Sequence, residues 1–320
     1  MMEFYKKRDF GTLIGDSFNF FKLYGKNYFK NYLLINGLLL ISMVVISTLG
    51  YREIIQNFLG SNMAGQSTYL ETYFNDNLSV IIGVTIVLII LGLLMMVINY
   101  LFPVFYLKRI ANGQKSVTTD EIIQDFKQNL NKIIKISLGI IFIVAPLSVL
   151  VVAFTYVLIF IFIGIILLFF VIPTIYNINL FLTYDYFNSE RRFFDSFSLA
   201  VRSQFSYPNG REKTPYWKYW GTTIIISIIL YIISTIFTMI PMLMLYSSLL
   251  TAPSDSAFVQ NPFTGVFGII IFVIYGISML VSLIVSNVIY VGIGLMYYDS
   301  RTDLHQKVKL SEIDTIGINE

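Results

Sequence analysis

Apolar positions along this 320-residue chain fall into long uncharged intervals, with shorter stretches between them in which apolar and polar residues alternate at helical spacing. A helix needs about 20 mostly apolar residues to cross about 30 Å of hydrocarbon. The uncharged intervals predict six such spans. The first runs from about Asn31 to Gly50, between Lys30 and Arg52, and the second lies within Asn77 to Leu107, ahead of Lys108 and Arg109. Between Lys135 and Asp185 stand 49 uncharged residues, the length of two spans joined by a tight turn, placed near Thr155 or at Gly164. The fifth span follows Lys218 to about Tyr246, and the sixth occupies Gly268 to Met296, closed by Asp299 and Arg301.

The periodic stretches predict helices of another kind. Phe10, Leu13, Ile14, Phe18 and Phe21 recur at spacings of three and four, the pattern of an amphipathic helix lying in the interface plane. Thr118-x-x-Glu121 is a capping box opening a helix whose Ile122, Ile123, Phe126 and Leu130 share one face, with Lys127, Lys132 and Lys135 in reach of headgroups. Phe193, Phe197, Ala200, Val201 and Phe205 repeat the arrangement, flanked by Arg191, Arg192 and Arg202. The expected surface helices are 10 to 24, 119 to 131 and 192 to 206, each ahead of a two-span hairpin. The chain then divides into unit one (1–110), unit two (111–185), unit three (186–300) and a tail (301–320). Offsets support a repeat: Pro103-Val104-Phe105-Tyr106 and Pro173-Thr174-Ile175-Tyr176 are 70 residues apart, as are Asp125 and Asp195, and Asp16-Ser17-Phe18 echoes Asp195-Ser196-Phe197.

Composition agrees with an all-α polytopic membrane protein: 56% of residues are hydrophobic, 13% are charged, and the mean hydropathy is +0.72. Of 22 Lys and Arg residues, 21 fall at the amino terminus, in 108 to 135, in 191 to 218, or after 300. Only Arg52 lies on the other side. The positive-inside rule then puts both termini in the cytoplasm and leaves two outer loops, about 51 to 76 and 247 to 263. Met1 to Tyr28 lacks the short apolar core and small-residue cleavage site of a signal peptide, so the first span is expected to be an anchor. Richness in Ile, Asn, Lys and Tyr suggests an AT-rich bacterial genome, and the expected location is the bacterial inner membrane.

Candidate chemistry is sparse. With no cysteine and one histidine, His305, the chain has no disulfide framework, thiolate metal site or cysteine nucleophile. None of the 41 charged residues falls inside a predicted span, whereas ion-coupled transporters usually need charge there and intramembrane aspartyl and zinc proteases need an in-span Asp pair or an H-E-x-x-H helix. No P-loop, G-x-S-x-G elbow or dinucleotide fingerprint occurs. No catalytic residue, cofactor or metal is expected, and the net charge of +3 gives no reason to expect nucleic acid. Asn36, Asn99, Asn177, Asn179 and Asn287 either hydrogen-bond between helices or line a cavity. Ser278, Ser282, Ser286 and Gly294 form a small-residue stripe that suits a close-packing face or a dimer seam. Pro103, Pro146, Pro173 and Pro241 kink spans two to five and free carbonyls that neighbours or water must satisfy. Trp217 and Trp220 sit at the fifth span's boundary as interfacial anchors. Asp299 and Arg301 are placed to pair with charges on the surface helices, and His305 reads as a solvated tail residue.

The surface helix before each hairpin, the segment Phe193 to Trp220 and the closing Tyr297-Tyr298-Asp299-x-Arg301 resemble bacterial six-helix membrane families related to the membrane domain fused to some glycerophosphodiester phosphodiesterases. Ser300 stands where those families more often show Leu. The resemblance covers the membrane part only and implies no enzymatic role. The reading that follows is a non-enzymatic scaffold, accessory subunit or lipid-responsive binding protein, with membrane lipids and a membrane-protein partner or second copy as its contacts. The alternative is a permease or flippase for a neutral or lipidic substrate. A lipid enzyme using Asp299, Arg301 and His305 is a more distant reading.

Overall fold

The computed structural model describes residues 2–50, 68–208, 213–251 and 265–305. Arg52 and most of both expected outer loops lie outside the described residues. Those residues form helices and no strand: α1 (Phe10–Gly50), α2 (Thr68–Ala111), α3 (Thr119–Gln128), α4 (Leu130–Gly139), α5 (Ala145–Val157), α6 (Ile163–Asn188), α7 (Phe193–Phe205), α8 (Tyr216–Thr251), α9 (Gly265–Val285) and α10 (Asn287–Ser300). Six helical stretches are long and apolar enough to cross a membrane. The chain is an all-α polytopic membrane protein.

Three expectations about the elements are corrected. The first surface helix and first span are one unbroken helix of 41 residues, about 60 Å long at 1.5 Å per residue. Of the expected apolar face only Leu13 is buried; the covered seam is Leu13, Ser17, Phe20, Tyr24, Tyr28 and Tyr32. A seam of tyrosines and a serine escapes an apolar-period search, yet it buries well because the hydroxyls find partners. Tyr28 donates to Asn287 Oδ1 at 2.8 Å and Tyr32 to Asn99 Oδ1 at 2.7 Å. The sixth span is two helices, α9 and α10, interrupted at Ser286. The turn between spans three and four lies between the two expected places. A short 3₁₀ segment, Leu158–Ile161, leads into Phe162, whose φ of 63° is left-handed, and Gly164 falls inside α6.

The third span also departs from regular α geometry at Pro146. Proline offers no N–H to the carbonyl four residues back. The ladder before it widens into a π turn over Ile140–Val144, closed by the Ala145 N–H on Ile140 O. By contrast α3 begins as its residues dictate: Thr118 accepts from the Glu121 N–H while Glu121 accepts from the Thr118 N–H.

By internal contacts the chain groups into two compact units, one of Met1–Ile35, Val97–Ile228 and Asn287–Glu320, the other of Asn36–Met96 and Ile229–Ser286. This grouping cuts across the three consecutive segments of the sequence division. In the second unit Ile271 and Phe272 pack with Leu245 and Phe267. There Pro241 leaves Phe237 O without its helical donor, and the Ser278 hydroxyl donates to that oxygen at 2.9 Å. The first unit holds the hairpin α5–α6, helices α3, α4, α7 and α10, and the ends of α1, α2 and α8 that carry most of the charge.

Candidate functional site

Two carboxylates, Asp185 and Asp299, have side chains with no solvent exposure, and the polar groups of the first unit converge on them. An isolated buried carboxylate is very costly, so each must be fully paired. Asp299, near the end of α10, accepts from the Arg8 backbone N–H at 2.5 Å, Lys218 Nζ at 2.7 Å, Tyr219 OH at 2.6 Å and Tyr207 OH at 3.5 Å. Lys218, the third residue of α8, spends its three protons on Asp299, on Arg8 O at 2.8 Å and on Tyr207 at 2.6 Å. Its ammonium also lies 5.3 Å from the Tyr207 ring centre and 5.1 Å from that of Tyr219. One residue of the last helix thereby ties down the start of α8, the chain after α7 and the segment before α1.

Asp185, near the end of α6, accepts from Arg191 at 2.8 Å, Arg301 at 2.9 Å and Tyr297 OH at 3.2 Å. Arg301 holds Asp303 with two bonds of 2.9 Å. Burial works against the Arg301 charge, but Asp303, Tyr297 and Asp185 outweigh it and keep its pKa above the ordinary arginine value. For Asp303, partial burial raises the pKa and the Arg301 bonds lower it; the net shift is downward. Arg8, 2% exposed, bonds Asp16 and the carbonyls of Glu3, Phe4 and Lys6, folding the chain before α1 around its guanidinium. Asp9 then caps α1 by accepting the Thr12 N–H at 2.7 Å, which lowers its pKa. Arg109 grips Asp125 with two bonds, 2.6 and 2.9 Å, joining the end of α2 to α3.

The expected site residues fall as follows. Asp299 and Arg301 are buried and ion-paired, but their partners are Lys218, Asp185 and Asp303, at helix ends and in the tail; the expectation of surface-helix partners is corrected. Asn177 accepts from Thr223 at 2.7 Å and Asn287 from Tyr28, so both are interhelical bonds. Pro103 and Pro173 are buried inside α2 and α6. Pro173 frees Phe169 O, and Trp220 Nε1 donates to that oxygen at 3.1 Å. Ser278 is buried and bonds Phe237 O, whereas Ser282 and Ser286 are half-buried and Ser286 bonds Leu283 O. Gly294 is a close-approach position, since a Cβ there would overlap the Tyr184 ring and crowd Leu107. His305 lies 3.0 Å from Tyr298 O.

Sequence reasoning passed over Asp185, Lys218, Tyr207 and Tyr219. The one available signal was that Asp185 ends a 49-residue uncharged interval and Lys218 opens another, so both stand where a span meets its boundary.

The arrangement is chemically quiet. Among the described residues no group of three or more His, Asp or Glu side chains is placed to hold a metal, and both buried carboxylates have their oxygens engaged by cations, hydroxyls and, at Asp299 Oδ1, the Arg8 backbone N–H. Such a site clamps helix ends together inside an all-α polytopic membrane protein. No protein-family model, curated protein or solved structure matches the chain.

Proposed function

We propose that this chain is a non-enzymatic binding protein of a bacterial inner membrane, a scaffold or accessory subunit that also responds to lipid, with both termini cytoplasmic. One observation carries the reading: polar groups that a transport path would need are spent within the protein. Asn99, Asn177 and Asn287 each hydrogen-bond a neighbouring helix, and the carbonyls freed by Pro173 and Pro241 are taken by Trp220 and Ser278. Broken helices in transporters instead direct their freed groups at substrate. The buried charges are saturated in the same way, so among the described residues no buried carboxylate is left free for acid–base work. Kinship with the phosphodiesterase-associated membrane domain belongs to the same proposal and adds no catalytic residue.

The test is purification from native membranes in mild detergent, with identification of what co-purifies, beside reconstitution into liposomes. A stoichiometric membrane-protein partner and no lipid or solute movement above empty liposomes is the expected result. Movement that scales with protein and is lost on mutating Asn177 would establish the permease instead. Orientation is checked with a cysteine at Ser116: labelling in intact cells by an impermeant maleimide would reverse it.

A further inference from the structure

The first unit has an apolar groove of about 320 Å³ between the hairpin and α7. Its walls are Leu147 and Val151 of α5, Val171 and Ile175 of α6, and Phe197 and Val201 of α7. The polar groups along it are turned on the protein: Ser148 donates to Val144 O and Thr174 to Phe170 O, both at 2.7 Å, the Tyr216 hydroxyl lies 3.2 Å from that of Thr174, and Asn179 donates to Ile175 O. The interior therefore offers hydrocarbon and little else. Two features build it. The π turn at Ile140–Val144 lies at the head of the α5 wall; such bulges recur at functional sites. Gly139, just before it, lets the Phe193 ring come so close that a Cβ would overlap it, which seats the start of α7 against α4.

What fills the groove is fixed by its surroundings and by charge. The hairpin around it exposes Phe142, Val149, Leu150 and Phe154, so it faces lipid tails rather than water. The charge is on α7. Among the described arginines, Arg8, Arg109, Arg191 and Arg301 are each paired with a carboxylate. Arg192 and Arg202 are exposed and engage no carboxylate among the described residues. Arg202 is on the helix whose apolar face walls the groove, about a quarter turn round from Val201, where a long side chain reaches the headgroup layer while its helix face stays in hydrocarbon, and Arg192 is the N-cap of that helix.

We propose that this groove binds one anionic phospholipid, an acyl chain lying between the hairpin and α7 and its charged headgroup attracted by Arg202 and by Arg192 at the start of that helix. The proposal rests on reading the chain as a lipid-responsive membrane protein and names the lipid class.

The experiment uses the full-length wild-type protein in nanodiscs carrying phosphatidylglycerol with a photoactivatable diazirine midway along one chain, followed by peptide mapping. Cross-links concentrated in residues 144–151, 170–179 and 197–205 are expected. An even spread over the lipid-facing helices, or concentration on α1 beside Lys22, Lys26 and Lys30, would overturn the site. Native mass spectrometry then compares phosphatidylglycerol with phosphatidylcholine. Wild type should prefer the anionic lipid by roughly thirtyfold, the preference expected of two arginine–headgroup contacts. Arg192→Gln with Arg202→Gln should reduce the two lipids to equal binding. Val171→Trp, filling the groove, should remove the tightly held copy of either; retention of that copy in a folded Val171→Trp protein would overturn the proposal. The two readings fail separately: lipid movement in liposomes with cross-links still in the groove would end the scaffold reading and leave the lipid site standing.

Discussion

Helices α10 and α5 are both short segments of spanning stretches, and their surroundings are opposite. In α10 every residue from Val291 to Ser300 is buried, Asp299 and two tyrosines included. In α5 only Thr155 is buried, while Val149, Leu150, Phe154 and Tyr156 are exposed. In water the more apolar helix would be the covered one. Here the solvent on offer is hydrocarbon, so apolar side chains gain little from being covered, and what protein must enclose is polarity. α10 is enclosed because it carries Asp299 and the Tyr297 hydroxyl, which donates to Asp185.

Several variants would break or sharpen that contrast. The largest effect is expected of Asp299→Ala, which strands Lys218 and the Arg8 N–H; removing one partner of a buried pair costs about 3–5 kcal/mol. Unfolding of purified protein in micelles measures it, with Val149→Ala on α5 as the companion, expected within about 0.5 kcal/mol of wild type. Equal losses in the two would show that enclosure of polarity does not distinguish the helices. Gly294→Val in α10 puts a branched side chain against Tyr184 and Leu107, an overpacking cost of about 1–3 kcal/mol. A tolerated valine would mean that α10 is less tightly held than its burial indicates.

A smaller effect is expected where a proline is answered by a donor. Ser278→Ala leaves the carbonyl freed by Pro241 unsatisfied, at about 1 kcal/mol. In Pro241→Ala the helix supplies its own N–H, so adding Ser278→Ala should then cost much less; an unchanged cost in the double variant would deny the pairing. The smallest effect is at Glu121, whose pKa is lowered chiefly by the Thr118 backbone N–H. A lowered folded-state value means stability present above the unfolded carboxylate pKa and lost as pH falls through the folded one. Glu121→Gln, which keeps the cap without the charge, should flatten the decline in melting temperature on acidification below the ordinary glutamate pKa. An identical decline would remove Glu121 from the account.

How much of this was legible in the sequence depends on distance along the chain. The capping box Thr118–Glu121 and the paired spans between Lys135 and Asp185 were readable because all their determinants are local. The continuity of α1 was not, since Tyr24, Tyr28 and Tyr32 count as polar until their partners Asn287 and Asn99 are known. The partners of Asp299 and Arg301 lie 81 and 116 residues away. Position at a span boundary marked Asp185 and Lys218 as special, but nothing in the linear order joins them to the last helix.

The bond from the Arg8 N–H to Asp299 spans 291 residues, and that separation has a consequence for biosynthesis. At 5–20 residues per second a ribosome needs about 15–60 s to travel from one to the other. For all of that interval the segment before α1 has been made, and for its last 81 residues the start of α8 as well, yet the carboxylate that secures both has not. A nascent chain that stalls before its last helix therefore presents Lys218 without its counter-charge and a leading segment that nothing yet secures. Completion of the final helix is thus also the event that locks the beginning of the chain.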